Sequence, residues 1–206
     1  MKQINKYIVE RLHINKDTGN YNHHYNYQPK TRDELKELIK KLIKERPPKA
    51  DLNDIDTSEI TDMSEVCYQS SFNGDISKWD VSNVKDMKYM FAYSKFNGDI
   101  SEWNVSNVKN MGCMFYCNTK FNGDISNWNV SNVENMSSMF AYSKFTGENG
   151  DISKWDVSNV KDMYSMFCRS KFNGDISNWD VSNVKYMRSM FIMSPLAKKT
   201  PKWYED

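Results

Sequence analysis

The apolar positions between residues 72 and 191 repeat a pattern that combines two periods. In its first copy, "FNGDISKWDVSNVKDMKYMF", Trp79 and Val81 are two residues apart and therefore share one face of a predicted strand. Lys78 and Asp80 lie on the opposite face of that strand. The apolar spacing then becomes helical over residues 84–91. Each copy therefore predicts a short strand followed by a helix.

The pattern recurs with copies that begin at Phe96, Phe121, Phe145 and Phe172. The tryptophans of the five copies are separated by 24, 25, 27 and 24 residues, so the occasional extra residues belong in loops. A period of this length is typical of leucine-rich-repeat solenoids, in which each unit is stable only when its neighbours cover it. The predicted fold class is an α/β solenoid, a leucine-rich-repeat-like array of about five 24-residue strand–helix coils.

Both ends of the array carry weaker copies of the pattern. Residues 55–68 align with the segment that starts at Trp79, and Leu196 and Trp203 fall 24 residues after Phe172 and Trp179. Such degenerate units are typical of capping repeats, which cover an otherwise exposed core. We therefore predict a repeat solenoid over residues 51–194 and a degenerate C-terminal cap over residues 195–206.

Residues 1–50 have a different pattern and predict a separate N-terminal lid. Thr31 and Glu34 form a capping box, an apolar stripe follows over residues 35–43, and Pro47 ends the predicted helix. Upstream, residues 6–14 and 21–29 alternate in a way that favours two strands, although residues 4–12 would also suit a helix. The predicted lid is strand, strand, helix.

Charge and length narrow the class of protein. The 206 residues carry a net charge of +1, but residues 1–50 hold 12 Lys/Arg against 6 Asp/Glu. Neither that basic head nor the mildly acidic remainder is extreme enough to identify nucleic acid as the partner. The sequence starts without an apolar signal segment and contains no run that could span a bilayer, which predicts a cytoplasmic protein with no membrane partner.

Candidate chemistry is sparse. Cys67, Cys113, Cys117 and Cys168 occupy different positions of the repeat, which favours reduced thiols that pack as small apolar groups. Cys113 and Cys117 have a helical spacing, but no histidine lies near them to complete a zinc site. His23 and His24 in "YNHHYNY" could bind a metal or a nucleobase, although a solvated loop is the simpler interpretation. We expect no cofactor, no metal and no catalytic residue.

Two repeated side chains need a physical explanation. The aspartate of each Asn-Gly-Asp turn recurs at one-unit intervals, at Asp75, Asp99, Asp124, Asp151 and Asp175. Stacked carboxylates repel unless each accepts backbone N–H groups or they share calcium ions; the first interpretation is favoured. The tryptophan row could form a platform for a carbohydrate, but its position on the inward strand face favours core packing.

The unit "FNGDIS-W-VSNV--M--MF" resembles the repeat of BspA-type leucine-rich-repeat proteins, also called domain of unknown function 285 or the mycoplasma lipoprotein repeat. The resemblance covers about residues 51–203. Members of that family are largely surface or secreted adhesins of bacteria and some protists, and such arrays also occur in phages and other mobile elements. The resemblance therefore implies a binding protein, either an intracellular one or an adhesin whose export signal is absent from this chain.

The predicted function is a non-enzymatic protein–protein interaction module, an intracellular binder or inhibitor that blocks or scaffolds a partner protein. The resemblance makes a phage or another mobile element a candidate source of its gene. Its predicted binding site is the strand face that points away from the core, because this face varies between units while the core does not. The site comprises Lys78, Asp80, Glu102, Asn104, Asn127, Asn129, Lys154, Asp156, Asn178 and Asp180. The alternative interpretation of these positions is that they are merely solvated.

Two alternatives remain open from the sequence. One is an extracellular adhesin at the cell surface, and the other is an RNA binder that uses the basic, tyrosine-rich lid. The partner's identity does not follow from the residues, and a monomer is the expected oligomeric state.

Overall fold

The computed structural model describes residues 12–14, 21–23, 25–47 and 49–204. Near the amino terminus, β1 (Leu12–Ile14) pairs antiparallel with β2 (Tyr21–His23). An α-helix, α1 (Arg32–Glu45), follows, and a short 3-10 helix (Pro195–Lys198) lies near the other end. Residues 6–11 of the first predicted strand and His24 of the histidine pair lie outside the described residues.

Helix α1 begins at the predicted capping box. The Thr31 hydroxyl accepts the Glu34 N–H at 3.2 Å, and the Glu34 carboxylate accepts the Lys30 N–H at 2.7 Å. The helix ends one residue before Arg46, which is followed by a proline that cannot continue it. The predicted apolar stripe is buried, with Leu35, Ile39 and Leu42 at most 1% exposed.

The repeats are not built from strands and helices, so the predicted α/β solenoid of strand–helix coils is wrong. Residues 49–204 contain isolated parallel bridges and one 3-10 helix where strands and α-helices were predicted. Instead, the chain turns tightly at its apolar positions. The Trp79 N–H donates to the Ile76 carbonyl at 3.1 Å, and the Val84 N–H donates to the Val81 carbonyl at 3.0 Å. These turns bring the apolar side chains inward without regular secondary structure.

The helix predicted over residues 84–91 does not form because a left-handed residue interrupts its backbone. Tyr89 and Tyr93 have φ angles of 58° and 55°, and a pair of left-handed residues four apart recurs in the equivalent segment of each unit. A left-handed residue costs about 1–2 kcal/mol. Hydrogen bonds between units offset this cost: Tyr89 N–H donates to the Gly112 carbonyl at 3.0 Å and Tyr93 N–H to the Tyr116 carbonyl at 2.8 Å. A helix would use these N–H groups internally.

The units stack in register. A column of parallel bridges joins equivalent residues of successive units, through Asp62, Asp86, Asn110, Asn135, Asp162 and Tyr186. The same register is held by side chains, since the indole N–H of each tryptophan donates to a backbone carbonyl of the preceding unit. For example, Trp103 bonds the Ile76 carbonyl at 3.1 Å. One unit therefore supplies the hydrogen-bond partners of the next, as the repeat pattern predicts.

Aromatic columns fill the core. Phe91, Phe115, Phe140 and Phe167 are stacked with ring centroids 5.6–5.7 Å apart. The tryptophans of the five units are only 3–4% exposed, which confirms that they pack in the core and excludes them as an exposed ligand platform. Met side chains from the turn segments fill the remaining space, as their positions in the sequence predict.

The two ends of the stack are closed differently. Helix α1 buries its apolar stripe against the first, degenerate unit. Lys36 of the helix pairs with Glu65 of that unit at 3.0 Å, and Arg46, the C-cap residue, pairs with Asp54 at 2.9 Å. At the other end, Leu196 is buried and the indole N–H of Trp203 donates to the Ile176 carbonyl at 3.0 Å. One apolar cluster runs through α1 and the repeats, while the boundaries at residues 50 and 194 remain predictions.

Candidate interaction surfaces

The ten predicted binding residues are all exposed and lie in two rows along one side of the stack. The first row, Lys78, Glu102, Asn127, Lys154 and Asn178, differs from unit to unit. The second row consists of Asp or Asn, and each of its members accepts a backbone N–H from the serine two residues later. Asp80, for example, accepts the Ser82 N–H at 2.9 Å. The second row therefore holds the turns, which leaves the first row free to vary.

The row of Asn-Gly-Asp carboxylates lies beside these residues and also caps turns. Each of the five accepts the N–H of the serine two residues later through Oδ1, at 2.8–3.0 Å. These N–H bonds lower the pKa of Asp75, Asp151 and Asp175. The favoured interpretation of the aspartate row as turn caps is confirmed. Among the described residues, no group of three or more His, Cys, Asp or Glu side chains is arranged to hold a metal ion.

Charge is sharply divided around the repeats. Residues 72–194 contain 13 basic and 13 acidic side chains. The first half of each unit, from the phenylalanine that begins it to the first valine of the "WDVSNV" segment, is mostly acidic, and the second half is mostly basic. Ten acidic and two basic side chains lie in residues 72–81 and their equivalents, whereas eleven basic and three acidic side chains lie in the remaining segments.

The inward side chains of the two halves meet in the core, as the rings of Phe91 and Trp103 do at 6.1 Å, so the two halves cover different sides of it. We call the exposed side chains of residues 73–80 and their equivalents the acidic face, and those of residues 85–95 and their equivalents the basic face. The acidic face includes all ten predicted binding residues. Neither face is apparent from the net charge of the chain, because the opposite charges of the repeats cancel.

A zigzag of tyrosines runs along the basic face. Tyr68, Tyr93, Tyr116 and Tyr142 make successive edge-to-face contacts, with ring centroids 5.7, 5.3 and 5.6 Å apart. The guanidinium of Arg169 lies 5.5 Å from the Tyr142 ring centre and extends the row by one unit. Tyrosines are enriched at protein interfaces because they combine a large apolar surface with a polar tip.

Sequence reasoning missed this zigzag, although a signal was present. Tyr68 and Tyr116 occupy the repeat position that Ala92 and Ala141 hold in alternate units. The small alanines leave room for the large rings of the units on either side, so tyrosine shifts by one residue from unit to unit. A depression of about 400 Å³ lies among these rings and extends to Cys113.

Cys113 and the other thiols are not set up as nucleophiles. All four cysteines are free, as predicted, and burial raises the pKa of Cys67 to about 12. Burial also raises the pKa of Cys113, and its hydrogen bond with Tyr89 raises the pKa of that phenol to about 12. Both groups are therefore protonated at neutral pH, and a reactive cysteine requires a thiolate.

Asparagines lock the stack in ways that the sequence pattern did not reveal. In each unit the Asn of the "VSN" segment donates to a serine carbonyl of the preceding unit, as Asn107 does to Ser82 at 2.7 Å. Asn118 is fully buried where one extra residue enters the repeat. Its Oδ1 accepts the N–H groups of Lys120 and Phe121, both at 2.9 Å, so its side chain closes the enlarged turn.

The repeated unit also matches a known family. A family model described as "Mycoplasma protein of unknown function, DUF285" matches residues 35–149 and 143–204. The chain belongs to the DUF285 family. The two matched segments overlap in the unit that contains the three extra residues around Glu148, where the regular spacing of the DUF285 repeat is interrupted. The curated proteins and the solved structures provide no match.

The family description assigns no activity to DUF285, so function has to be argued from the surfaces of this member. No helix in the described part of the chain is long and apolar enough to cross a membrane. The acidic face and the tyrosine-lined basic face are the two extended surfaces that the stack provides.

Proposed function

We propose that this DUF285 chain is a non-enzymatic protein–protein interaction module that blocks or scaffolds a partner through its acidic face. The observation that supports this most strongly is the division of charge, which concentrates ten acidic side chains on one side of a stack with no net charge. A face of this kind attracts a basic protein surface and repels phosphate groups, so its complement is a protein with clustered Lys or Arg.

The fixed frame of the face supports a role in specificity. Every unit has the Asn-Gly-Asp aspartate, a turn-capping Asp or Asn in the second row and a buried tryptophan, while the row from Lys78 to Asn178 changes in charge and size. Because the frame holds these variable side chains at regular intervals, a partner is recognised by their order along the stack. Leucine-rich and related repeat proteins gain extended binding surfaces in the same way.

The test is affinity purification with mass spectrometry from the native host, using variants of the variable row. Glu102→Lys, Asn127→Lys and Asn178→Lys are combined in one variant, because these exposed residues do not cap turns and their replacement preserves the fold. The matched control combines Lys95→Glu, Lys120→Glu and Lys144→Glu on the basic face. We expect one stoichiometric partner that is lost from the first variant and retained by the control.

A partner that both variants retain would contradict the acidic-face proposal. Loss of the partner from the control alone would move the binding site to the basic face. Thermal melts of both variants establish that any loss of binding does not come from unfolding.

A second candidate function, binding of single-stranded nucleic acid, is favoured by the lysines and tyrosines of the basic face. Aromatic rings beside rows of cations are typical of such sites. The predicted lid is a weaker candidate for this role, because six of the eight Lys and Arg residues between 30 and 49 are already in ion pairs. Binding of a 20-nucleotide RNA that weakens steeply with salt and is lost in the basic-face variant would support this candidate.

A further inference from the structure

The charged side chains of the two faces differ in exposure as well as in sign. All ten acidic side chains of the acidic face are exposed, and so are all eleven basic side chains of the basic face. The three acidic side chains of the basic face, Asp86, Glu134 and Asp162, are only half-exposed. Two of them cap turns, since Asp86 accepts the Lys88 N–H at 2.7 Å and Asp162 accepts the Tyr164 N–H at 2.9 Å. The two faces therefore present predominantly opposite charges to the solvent.

One row of cations on the basic face has no counter-charge within the described part of the chain. The row consists of the lysines that directly precede the phenylalanine of a unit, and we call it the lysine row: Lys95, Lys120, Lys144 and Lys171. None of these four side chains forms an ion pair or donates a hydrogen bond among the described residues. By contrast, Lys109 and Lys161 of the same face both pair with Glu134. Ammonium groups in register repel one another unless anions lie opposite them.

The lysine row and the acidic face share one repeat distance, because they belong to the same units. The phenylalanines that follow the lysines stack, with ring centroids 6.2 Å apart for Phe121 and Phe145 and 5.9 Å apart for Phe145 and Phe172. Parallel bridges join successive units, which sets their spacing near the value of about 4.8 Å between neighbouring strands. The aspartates of the Asn-Gly-Asp turns recur once in each unit as well. When two stacks lie side by side, cations and carboxylates therefore meet at equal intervals.

We propose that the lysine row of one copy of this chain docks against the acidic face of a second copy, so that two stacks associate side by side. Charge complementarity and the shared repeat distance favour this occupant, since a second copy carries carboxylates at the interval of the lysines. Residues 72–194 contain 13 basic and 13 acidic side chains, so two arrays approach without net repulsion.

The contact joins two different faces and is therefore heterologous. Each copy keeps one acidic face or one lysine row for a further neighbour, so the association is open-ended and replaces the monomer that the sequence predicts. This inference uses the acidic face of the function proposed above, and a second copy and a host partner compete for that face.

Sedimentation equilibrium of the full chain tests the association. Exposed ion pairs are screened by salt, because the Debye length is about 30 Å in 0.01 M salt and about 3 Å in 1 M salt. We expect a weight-average mass at least about 1.5 times that of the monomer in the low salt, and the monomer mass in the high salt. A monomer in both would overturn the proposal and leave a different protein or a nucleic acid as the ligand of the lysine row. Association that persists unchanged in the high salt would also overturn it.

Cross-linking locates the contact. A carbodiimide joins an ammonium group directly to a carboxylate that touches it, and a mixture of unlabelled and isotopically heavy chains identifies the links between two copies. We expect such links from the lysine row to Asp or Glu of the acidic face. Links between copies that involve only other surfaces, such as helix α1, would overturn the assignment.

Matched variants separate the lysine row from a general loss of positive charge. The test variant neutralises the row: Lys95→Gln, Lys120→Gln, Lys144→Gln and Lys171→Gln. The control neutralises four exposed lysines in and just after helix α1: Lys40→Gln, Lys41→Gln, Lys44→Gln and Lys49→Gln. We expect association to weaken by about tenfold or more in the test variant and by less than about twofold in the control. Equal weakening of two variants that thermal melts show to be folded would overturn the proposal.

Affinity purification distinguishes self-association from the function proposed above. A chain that stays monomeric in low salt but captures a host partner through its acidic face would overturn only the self-association. A chain that self-associates through the lysine row and captures no host partner would support the self-association and contradict the proposed function.

Discussion

Substitution of two adjacent serines tests whether the segment around Met136 is a helix or a series of turns. Ser137 and Ser138 both lie in the segment where the sequence pattern predicts a helix, and they are similarly half-buried. Ser138 has a φ of 52°, whereas Ser137 is not among the left-handed residues. In a helix, replacement of either serine by glycine would destabilise the protein to about the same small extent.

The structure predicts effects of opposite sign. Glycine adopts the left-handed conformation without the cost of about 1–2 kcal/mol that an L-residue bears. However, glycine also lowers the free energy of unfolding by about 0.5–1 kcal/mol, because it gives the unfolded chain more conformational freedom. Ser138→Gly should therefore raise the free energy of unfolding by roughly 0.5–1 kcal/mol. Ser137→Gly has the same entropic cost and also removes the hydroxyl that donates to Asn135 at 2.7 Å, so it should lower the free energy by about 1–2 kcal/mol.

The assay is urea unfolding at neutral pH combined with thermal melts of the wild type and the two single variants. For a chain of this length, a change of 1 kcal/mol moves Tm by about 2–4 °C, so the two variants should differ by roughly 3–12 °C. The Ser138 N–H bond to the Tyr164 carbonyl, 2.8 Å long, is retained in glycine and does not contribute to the difference. If both variants lost stability equally, the left-handed conformation of Ser138 and the correction of the predicted helix would be refuted.

Further outcomes follow from the core and from the turn-capping carboxylates. Trp128→Ala should lower the free energy of unfolding by about 4–6 kcal/mol, since it leaves a cavity and an unpaired Ile100 carbonyl. Trp128→Phe, which fills most of that cavity, should lower the free energy by less than half as much. Equal losses of the two variants in urea unfolding would contradict the packing argument. The pKa values of Asp75, Asp151 and Asp175 are lowered in the folded protein, so acid protonates these groups more readily in the unfolded chain. Their contribution to stability is therefore complete above about pH 4 and is lost as the pH falls through the lower pKa values of the folded state. Urea midpoints at pH 7, 4 and 3 measure this loss, and an unchanged midpoint would refute it. Calcium or EDTA should leave Tm unchanged, because the aspartates of the Asn-Gly-Asp turns accept backbone N–H groups. A rise of several degrees with calcium would instead indicate that these carboxylates bind the cation.

Much of this protein could be predicted from local sequence alone. The positions of the inward side chains, the register of the units and the loops that hold the insertions all follow from the spacing of residues such as Trp79 and Trp103. Helix α1 was also predictable, because Thr31 caps it and its apolar stripe is continuous. These features depend on neighbouring residues in the chain, whose identities the sequence gives directly.

The backbone conformation of the repeats was not predictable in the same way. The spacing of Met87, Met90 and Phe91 fits a helix, but it fits tight turns equally well, because both place apolar residues three and four apart on one side. The choice depends on whether Tyr89 N–H bonds within its own segment or to Gly112, a residue 23 positions later. Such a partner exists only once two units have stacked.

The candidate surfaces also combine features that local sequence predicts with features that depend on stacking. The exposure of Lys78 and Asp80 followed from their alternation with buried residues, and the structure places them on the surface as the alternation predicts. The contacts from Tyr68 to Tyr93 and from Tyr116 to Tyr142 join residues of different units. The sequence determines which side chains each unit carries; only the closed turn around the core decides which of them meet, because that turn sets their distances in space.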